Sequence, residues 1–143
     1  MIRAFRKEDS EAVVALWLEA SIQAHVFVGK DYWESKVEDM RTLYLPLSEI
    51  VVDTDDSGEI TGFMALVEDF LAALFVAPRH QGKGTGTRLL KLAKKMRGTL
   101  ELSVYAENER AVGFYRKHGF EVVGQGVEED TGHLELTMRF GGE

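Results

Sequence analysis

Hydrophobic and polar positions change their spacing along the chain, and each spacing predicts one type of element. Apolar residues recur every three or four positions after Ser10 and again after Tyr32, which is typical of one face of an α-helix. The second helix is expected to end at Pro46. Apolar and β-branched runs at Ile50–Val52 and Ile60–Val67 predict two strands, joined by a polar turn with a glycine.

The rest of the pattern alternates strands with helices. An apolar run, Phe70–Val76, predicts a central strand, and a helix follows that begins at Gly84 or Gly86. The remaining predicted elements are a first strand at Ile2–Phe5, a strand at Leu100–Tyr105, a helix at Asn108–Lys117 and strands near Phe120–Gly124 and His133–Phe140. This order (β-α-α-β-β-β-α-β-α-β-β) predicts an α/β fold in which helices pack on one mixed sheet.

Length and composition fit one globular domain over residues 1–143. Hydrophobic residues make up 45% and charged residues 29% of the 143 positions. No apolar run reaches the roughly 18 residues of a membrane span, and the N-terminus lacks an export signal, so we expect a cytoplasmic protein without a membrane partner. The absence of cysteine excludes a disulfide framework, a thiolate zinc site and a cysteine nucleophile. The four histidines are scattered, and no metal site is predicted.

Charge is distributed unevenly. The net charge of −7 argues against nucleic-acid binding, which needs excess Lys and Arg. Yet the segment Arg79–Arg97 holds seven basic residues and no acidic one. A basic segment of this kind is often only a solvated helix face. Here it begins at a glycine-rich turn, where an anionic ligand is expected.

The glycine-rich turn joins the apolar strand to the next helix. Gly82, Gly84 and Gly86 occupy alternate positions, more glycine than a simple connection needs. A P-loop is excluded because Lys83 is followed by glycine instead of Ser or Thr. A dinucleotide fingerprint needs a different glycine spacing and an acidic residue near the end of the next strand, whereas Glu101 lies in mid-strand.

Two motifs resemble those of one family, the GNAT family of acetyl-CoA-dependent N-acetyltransferases. Gln81-x-x-Gly84-x-Gly86 is similar to the family's acetyl-CoA signature, and the stretch from Asn108 through Phe114-Tyr115-x-x-x-Gly119-Phe120 resembles its second signature. The resemblance covers nearly the whole chain and implies that coenzyme A binds at the turn. The implied cofactor-binding residues are Leu74, Phe75, Val76, Gln81, Gly82, Lys83, Gly84, Thr85, Gly86, Thr87, Asn108 and Tyr115.

The resemblance also implies catalytic roles. The strand ending at Val76 is expected to separate from its neighbour, so that the Val76 N–H faces the developing oxyanion. Tyr115 would protonate the departing thiolate, and Asn108 would cap its helix, contact the pantetheine arm, or both. Many relatives carry a glutamate as general base where this chain has Phe70. His25 is one hypothesis for a base acting through water, with Glu68 and Asp69 as alternatives.

The acceptor is expected to be a cationic amine, since the acidic residues lie outside the cofactor segment. A protein lysine, an N-terminal amine and a polyamine-like small molecule are all open, and the chain resembles small bacterial enzymes that acetylate protein lysines. The candidate acceptor-binding residues are Trp17, His25, Phe27, Trp33 and Phe70. A non-catalytic acyl-CoA sensor and, less favoured by the glycine spacing, a nucleotide-dependent oxidoreductase are the alternative functions. The sequence leaves monomer and homodimer open.

Overall fold

Residues 1–141 are described by the computed structural model, and they form a seven-stranded mixed sheet with helices on both faces. In chain order the elements are β1 (Ile2–Ala4), α1 (Ser10–Ala24), α2 (Lys30–Ser35), β2 (Glu49–Thr54), β3 (Ile60–Val67), β4 (Phe70–Val76), α3 (Thr85–Arg97), β5 (Leu100–Tyr105), α4 (Glu109–Lys117), β6 (Glu121–Val127) and β7 (Leu134–Phe140). Short helical turns occupy residues 7–9, 37–47 and 78–80. The α/β class and the element order expected from the pattern are confirmed.

The sheet has the strand order β1-β2-β3-β4-β5-β7-β6. All neighbouring strands are antiparallel except β4 and β5, which are parallel and share a single register pair, Phe70 with Glu101. Beyond that pair the two strands separate. The carboxyl ends of β4 and β5 therefore border an opening in the middle of the sheet.

One predicted helix is not continuous. The segment expected as a single helix after Tyr32 ends at Ser35 and continues as short turns, including a π-type turn at Met40–Tyr44. The buried residues of this segment are Trp33, Met40 and Leu45, and the spacing of five between Met40 and Leu45 fits a π-type turn and not a straight α-helical face. Pro46 lies inside the first turn of the last helical piece, where its missing N–H has no intrahelical acceptor to lose.

The core lies on both sides of the sheet, because successive strand residues point to opposite faces. Val52 and Phe63 pack with α1, including Trp17, in one cluster. Met64 and Leu102 pack in the other cluster, which contains the buried face of α3. Within residues 1–141 no helix is both long and apolar enough to cross a bilayer.

Candidate active site

A cleft of about 720 Å³ opens where β4 and β5 separate. Its walls come from the end of β4, the glycine-rich turn, the N-terminal ends of α3 and α4 and the segment around the end of α1. The lining residues are Ala20, Gln23, Ala24, Val26, Phe27, Leu74, Phe75, Val76, Gln81, Gly82, Gly84, Thr85, Gly86, Thr87, Glu107, Asn108, Glu109, Arg110, Ala111, Phe114 and Tyr115.

The β4 edge presents free backbone groups to the cleft. The Ala77 N–H donates to the Thr61 carbonyl at 2.9 Å, which fixes the alternation of the β3–β4 ladder. By that alternation the backbone N–H and C=O groups of Phe75 point toward β3. The corresponding groups of Leu74 and Val76 point away from β3. β5 pairs with β4 only at Phe70, so the N–H and C=O groups of Leu74 and the N–H of Val76 remain available to an extended ligand.

The glycine-rich turn has the backbone conformation expected of an anion-binding loop. Gly82 and Gly84 have φ values of +80° and +82°, which favour glycine strongly. Gly84 directly precedes α3, whose first N–H groups have no intrahelical acceptor and lie at the cleft. All the predicted residues of the turn line the cleft except Lys83, which is exposed.

Gln81 connects three elements around the cleft. Its Nε2 donates to the Val76 carbonyl and to Gln23 Oε1, both at 3.1 Å. Its Oε1 accepts from Arg110 Nη1 at 3.4 Å. Sequence reasoning missed Gln23 and Arg110 as cleft residues, because each is an isolated polar side chain on a helix and belongs to no spacing motif.

Tyr115 and Asn108 both line the cleft. Tyr115 is 9% exposed, and burial raises the pKa of its phenol above the ordinary value, so the group keeps its proton at neutral pH. Asn108 is the N-cap of α4, since its Oδ1 accepts from the Ala111 N–H at 3.2 Å. The predicted capping role of Asn108 is therefore confirmed.

His25 lies behind Asn108 in an aromatic cluster. Its ring centroid is 5.1 Å from that of Trp33 and 5.2 Å from that of Tyr105, and the residue is 8% exposed. Burial lowers the pKa of His25 to about 4, although the nearby Ser21 carbonyl acts in the opposite direction. Nε2 of the neutral ring accepts a hydrogen bond from Asn108 Nδ2 at 3.2 Å. His25 is not among the residues that line the cleft.

Of the other predicted acceptor-binding residues, one lines the cleft and three lie elsewhere. Phe27 lines the cleft. Trp17 and Trp33 belong to the core cluster of α1, with their ring centroids 5.9 Å apart. Phe70 is 36% exposed at the closed end of the β4–β5 pair, and it does not line the cleft.

An acidic rim, which sequence reasoning did not assign, lies beside Phe27. The connection between β6 and β7 brings His133 within 5.1 Å of the Phe27 ring, centroid to centroid, and His133 Nδ1 is 2.6 Å from Glu107 Oε1. Tyr105 donates to Glu128 Oε1 at 3.2 Å. We call Glu107, Glu128, Asp130 and Glu135 the acidic rim. The acidic composition of residues 126–132 signalled Glu128 and Asp130 in the sequence, whereas Glu107 and Glu135 belong to no acidic segment.

One further group of possible metal ligands lies outside the cleft. Potential ligand atoms of Asp55, Glu59 and His80 come within 4.8 Å of one another. Glu59 already accepts hydrogen bonds from Arg79 Nη2 at 2.9 Å and contacts His80 Nε2 at 3.2 Å. None of the three lines the cleft.

Comparison with known proteins identifies the family. The acetyltransferase (GNAT) domain family matches residues 46–122. The chain belongs to this family. GNAT proteins use acetyl-CoA as co-substrate, and this GNAT chain is an acyl-CoA-dependent acetyltransferase, as its motifs implied.

Individual GNAT relatives resemble the chain over most of their length. Peptidyl-lysine N-acetyltransferase YiaC of Escherichia coli is 33% identical over 132 residues, which cover 92% of this chain and 90% of YiaC. The solution structure of apo YjaB from Escherichia coli superimposes with a TM-score of 0.87 at 32% identity, covering 100% of this chain and 98% of that one. A PaiA N-acetyltransferase from Thermoplasma acidophilum, solved with coenzyme A, shares the fold at a TM-score of 0.81 and 20% identity, over 99% and 98% of the two chains.

Proposed function

We propose that this GNAT enzyme transfers the acetyl group of acetyl-CoA to lysine side chains of proteins or peptides, with Tyr115 as general acid. The observation that carries the proposal is the protonated phenol of Tyr115, which lies in the cleft between β4 and β5 and close to the acidic rim. The names of YiaC and of YjaB, each a peptidyl-lysine N-acetyltransferase, support the choice of acceptor.

The cofactor lies along β4 in this proposal. The pyrophosphate accepts hydrogen bonds from the turn Gly82–Thr87 and the start of α3, where the helix dipole also favours a negative charge. The pantetheine arm pairs with the free N–H and C=O groups of Leu74, in the place that a fully paired β5 would occupy, and the Val76 N–H stays free for the thioester oxygen. Arg110 and Gln81 stand at the same wall and contribute polar contacts.

The chemistry is direct attack on the thioester. The neutral amine nitrogen forms a bond to the carbonyl carbon, and the Val76 N–H stabilises the oxygen that becomes negative. The C–S bond then breaks, and Tyr115 gives its proton to the sulfur. The amine nitrogen, positively charged after the attack, releases one proton to water to give the neutral amide, and water returns a proton to Tyr115. A thiolate whose thiol has a pKa of about 8.5 is a good leaving group, so it needs only modest help from Tyr115.

His25 has a different role in this proposal from the one expected of a general base. A ring with a pKa of about 4 accepts a proton from an ammonium group poorly, and it does not reach the cleft. Its Nε2 instead accepts a hydrogen bond from Asn108 Nδ2. The Oδ1 of the same Asn108 amide caps α4, the helix that carries Tyr115. We propose that His25 positions Asn108 and through it the start of α4.

The acidic rim supports a cationic acceptor. Glu107 lines the cleft, while Glu128 and Asp130 accept hydrogen bonds from the phenols of Tyr105 and Tyr32. Burial raises the pKa of Glu135, and repulsion from the nearby Glu128 charge adds to the effect. A lysine ammonium entering beside Phe27 would relieve this repulsion before it loses its proton.

The test is acetyl-CoA turnover, followed as thiol release, on lysine peptides, N-terminal peptides and polyamines. We expect Tyr115→Phe to lower kcat on lysine peptides by roughly 10²–10⁴-fold with little change in KM, the range for loss of a positioned acid. Tyr44→Phe, at a tyrosine 49% exposed and outside the cleft, is the matched control. Equal turnover by the two variants would rule out Tyr115 as the acid, and preference for polyamines would overturn the lysine assignment. Cofactor binding without turnover on any amine would favour the sensor alternative.

A further inference from the structure

Arg88 connects the glycine-rich turn to a buried carboxylate at the end of β2. Asp53 is 1% exposed, and its Oδ2 accepts from Arg88 Nη2 at 2.9 Å and from Nε at 3.3 Å. Its Oδ1 accepts from the amino group of Met1 at 3.0 Å. Neither Asp53 nor Arg88 lines the cleft, so the connection runs along the outer side of the turn.

The same guanidinium also holds the turn. Arg88 Nη1 donates to the main-chain carbonyl of Lys83 at 3.2 Å, and Nη2 donates to Thr85 Oγ1 at 3.1 Å. A guanidinium is a planar group with donors in fixed directions, so its pairing with Asp53 determines where the Lys83 carbonyl is held.

The orientation of one peptide group follows from this contact. The Lys83 carbonyl and the Gly84 N–H belong to one trans peptide, and the two groups point in opposite directions. Because Arg88, which holds the carbonyl, does not line the cleft, the Gly84 N–H on the opposite side of the peptide is expected to face the cleft that Gly84 lines. Glycine on both sides of Lys83 leaves this peptide free to rotate, and a carbonyl turned inward would repel an anion. The turn therefore needs an external contact to stay oriented.

We infer that Asp53 and Arg88 are positioning residues for acetyl-CoA, which hold the Lys83–Gly84 peptide so that the Gly84 N–H is presented to the pyrophosphate. This inference rests on the proposed placement of the pyrophosphate at the turn. It assigns a function in cofactor binding to a carboxylate in β2 that touches neither cofactor nor acceptor.

The test compares acetyl-CoA with acetyl-pantetheine, which has the same thioester but no pyrophosphate. Asp53→Asn keeps the shape and removes the charge, and Arg88→Lys keeps the charge but cannot reach the carboxylate and the Lys83 carbonyl together. We expect each variant to raise the KM for acetyl-CoA about tenfold, the effect of losing one charge-assisted hydrogen bond, at nearly unchanged kcat. Kinetics with acetyl-pantetheine should stay at the wild-type level.

Asp56→Asn is the matched control, because Asp56 is exposed in the same hairpin and its side chain forms no hydrogen bond or ion pair within residues 1–141. An unchanged KM for acetyl-CoA in both test variants would overturn the inference, as would an equal loss with both thioesters, which would indicate a general defect. Arg88 has a half-exposed side chain, so Arg88→Lys decides the question if Asp53→Asn does not fold. A wild-type enzyme that shows no preference for acetyl-CoA over acetyl-pantetheine would contradict the pyrophosphate placement itself, and the inference with it.

Discussion

At the scale of single residues, the environment of His25 couples folding to pH. The folded ring has a pKa of about 4, against about 6.5 for an unperturbed histidine, because burial disfavours the charged form. Between these values the unfolded chain binds more protons than the folded one. The folded state therefore keeps its full free energy of unfolding, as far as His25 is concerned, above pH 6.5. This free energy falls as the pH decreases from 6.5 toward 4, because the unfolded chain then takes up a proton that the folded ring does not bind.

We expect His25 alone to lower the free energy of unfolding by about 2 kcal/mol between pH 7.5 and pH 5. Urea unfolding of wild type and His25→Gln at both pH values measures this contribution as the difference between their pH dependences, because the other ionisable groups are common to both proteins. The variant should be less pH-sensitive than wild type over this interval. Identical pH dependence in the two proteins would show that the ring is not held neutral by burial.

At the scale of elements, the conformation of a glycine decides what a methyl group at that position does. Gly82 in the turn has a φ of +80°. Gly113 lies in the middle of α4, is exposed to solvent and has no positive φ. A Cβ at either position would meet no atom within 4 Å, so crowding is excluded in both cases. The effect of a methyl group on stability at the two positions is therefore decided by backbone conformation.

We expect Gly82→Ala to destabilise the fold by about 1–2 kcal/mol, the cost of a left-handed conformation for an L-residue, and to weaken acetyl-CoA binding. Gly113→Ala should stabilise the protein by about 0.4–1 kcal/mol, because alanine loses less conformational entropy in a helix. Urea denaturation and acetyl-CoA titration of both variants measure the contrast. A change of the same sign in the two variants would contradict this account of the turn.

At the scale of the whole molecule, charge separates the two proposed ligand sites. The chain has a net charge of −7, although the segment Arg79–Arg97 holds seven Lys and Arg residues and no acidic residue. An anionic cofactor and a cationic acceptor would thus approach different surfaces of one small protein. Long-range attraction of this kind acts on association and weakens when salt screens it.

With saturating acetyl-CoA, we expect kcat/KM for a cationic lysine peptide to fall several-fold as the salt concentration rises from about 0.05 to 0.5 M. A lysine peptide made neutral overall by added glutamates is the comparison substrate, and its kcat/KM should change much less. Equal salt dependence for the two peptides would rule out steering by the acidic rim.

The sequence by itself determined the elements that short-range forces specify. The bounds of β4 match the apolar run Phe70–Val76, and those of β5 match Leu100–Tyr105, where apolar residues recur at every second position. Asn108 caps α4, and Gly119 follows that helix with a φ of +90°, as their residue types indicated. These outcomes depend on a few neighbouring residues, and such residues are visible in the chain.

Only the tertiary structure decided which side chains share the cleft. Phe27 lines the cleft while Trp17 and Trp33 are in the core, although all three are aromatic residues of the same region. Glu128 contacts Tyr105 across 23 positions, and Arg88 reaches Asp53 across 35. Burial and contact at such separations depend on how whole elements pack against the sheet, and no local period or motif in the sequence encodes that packing.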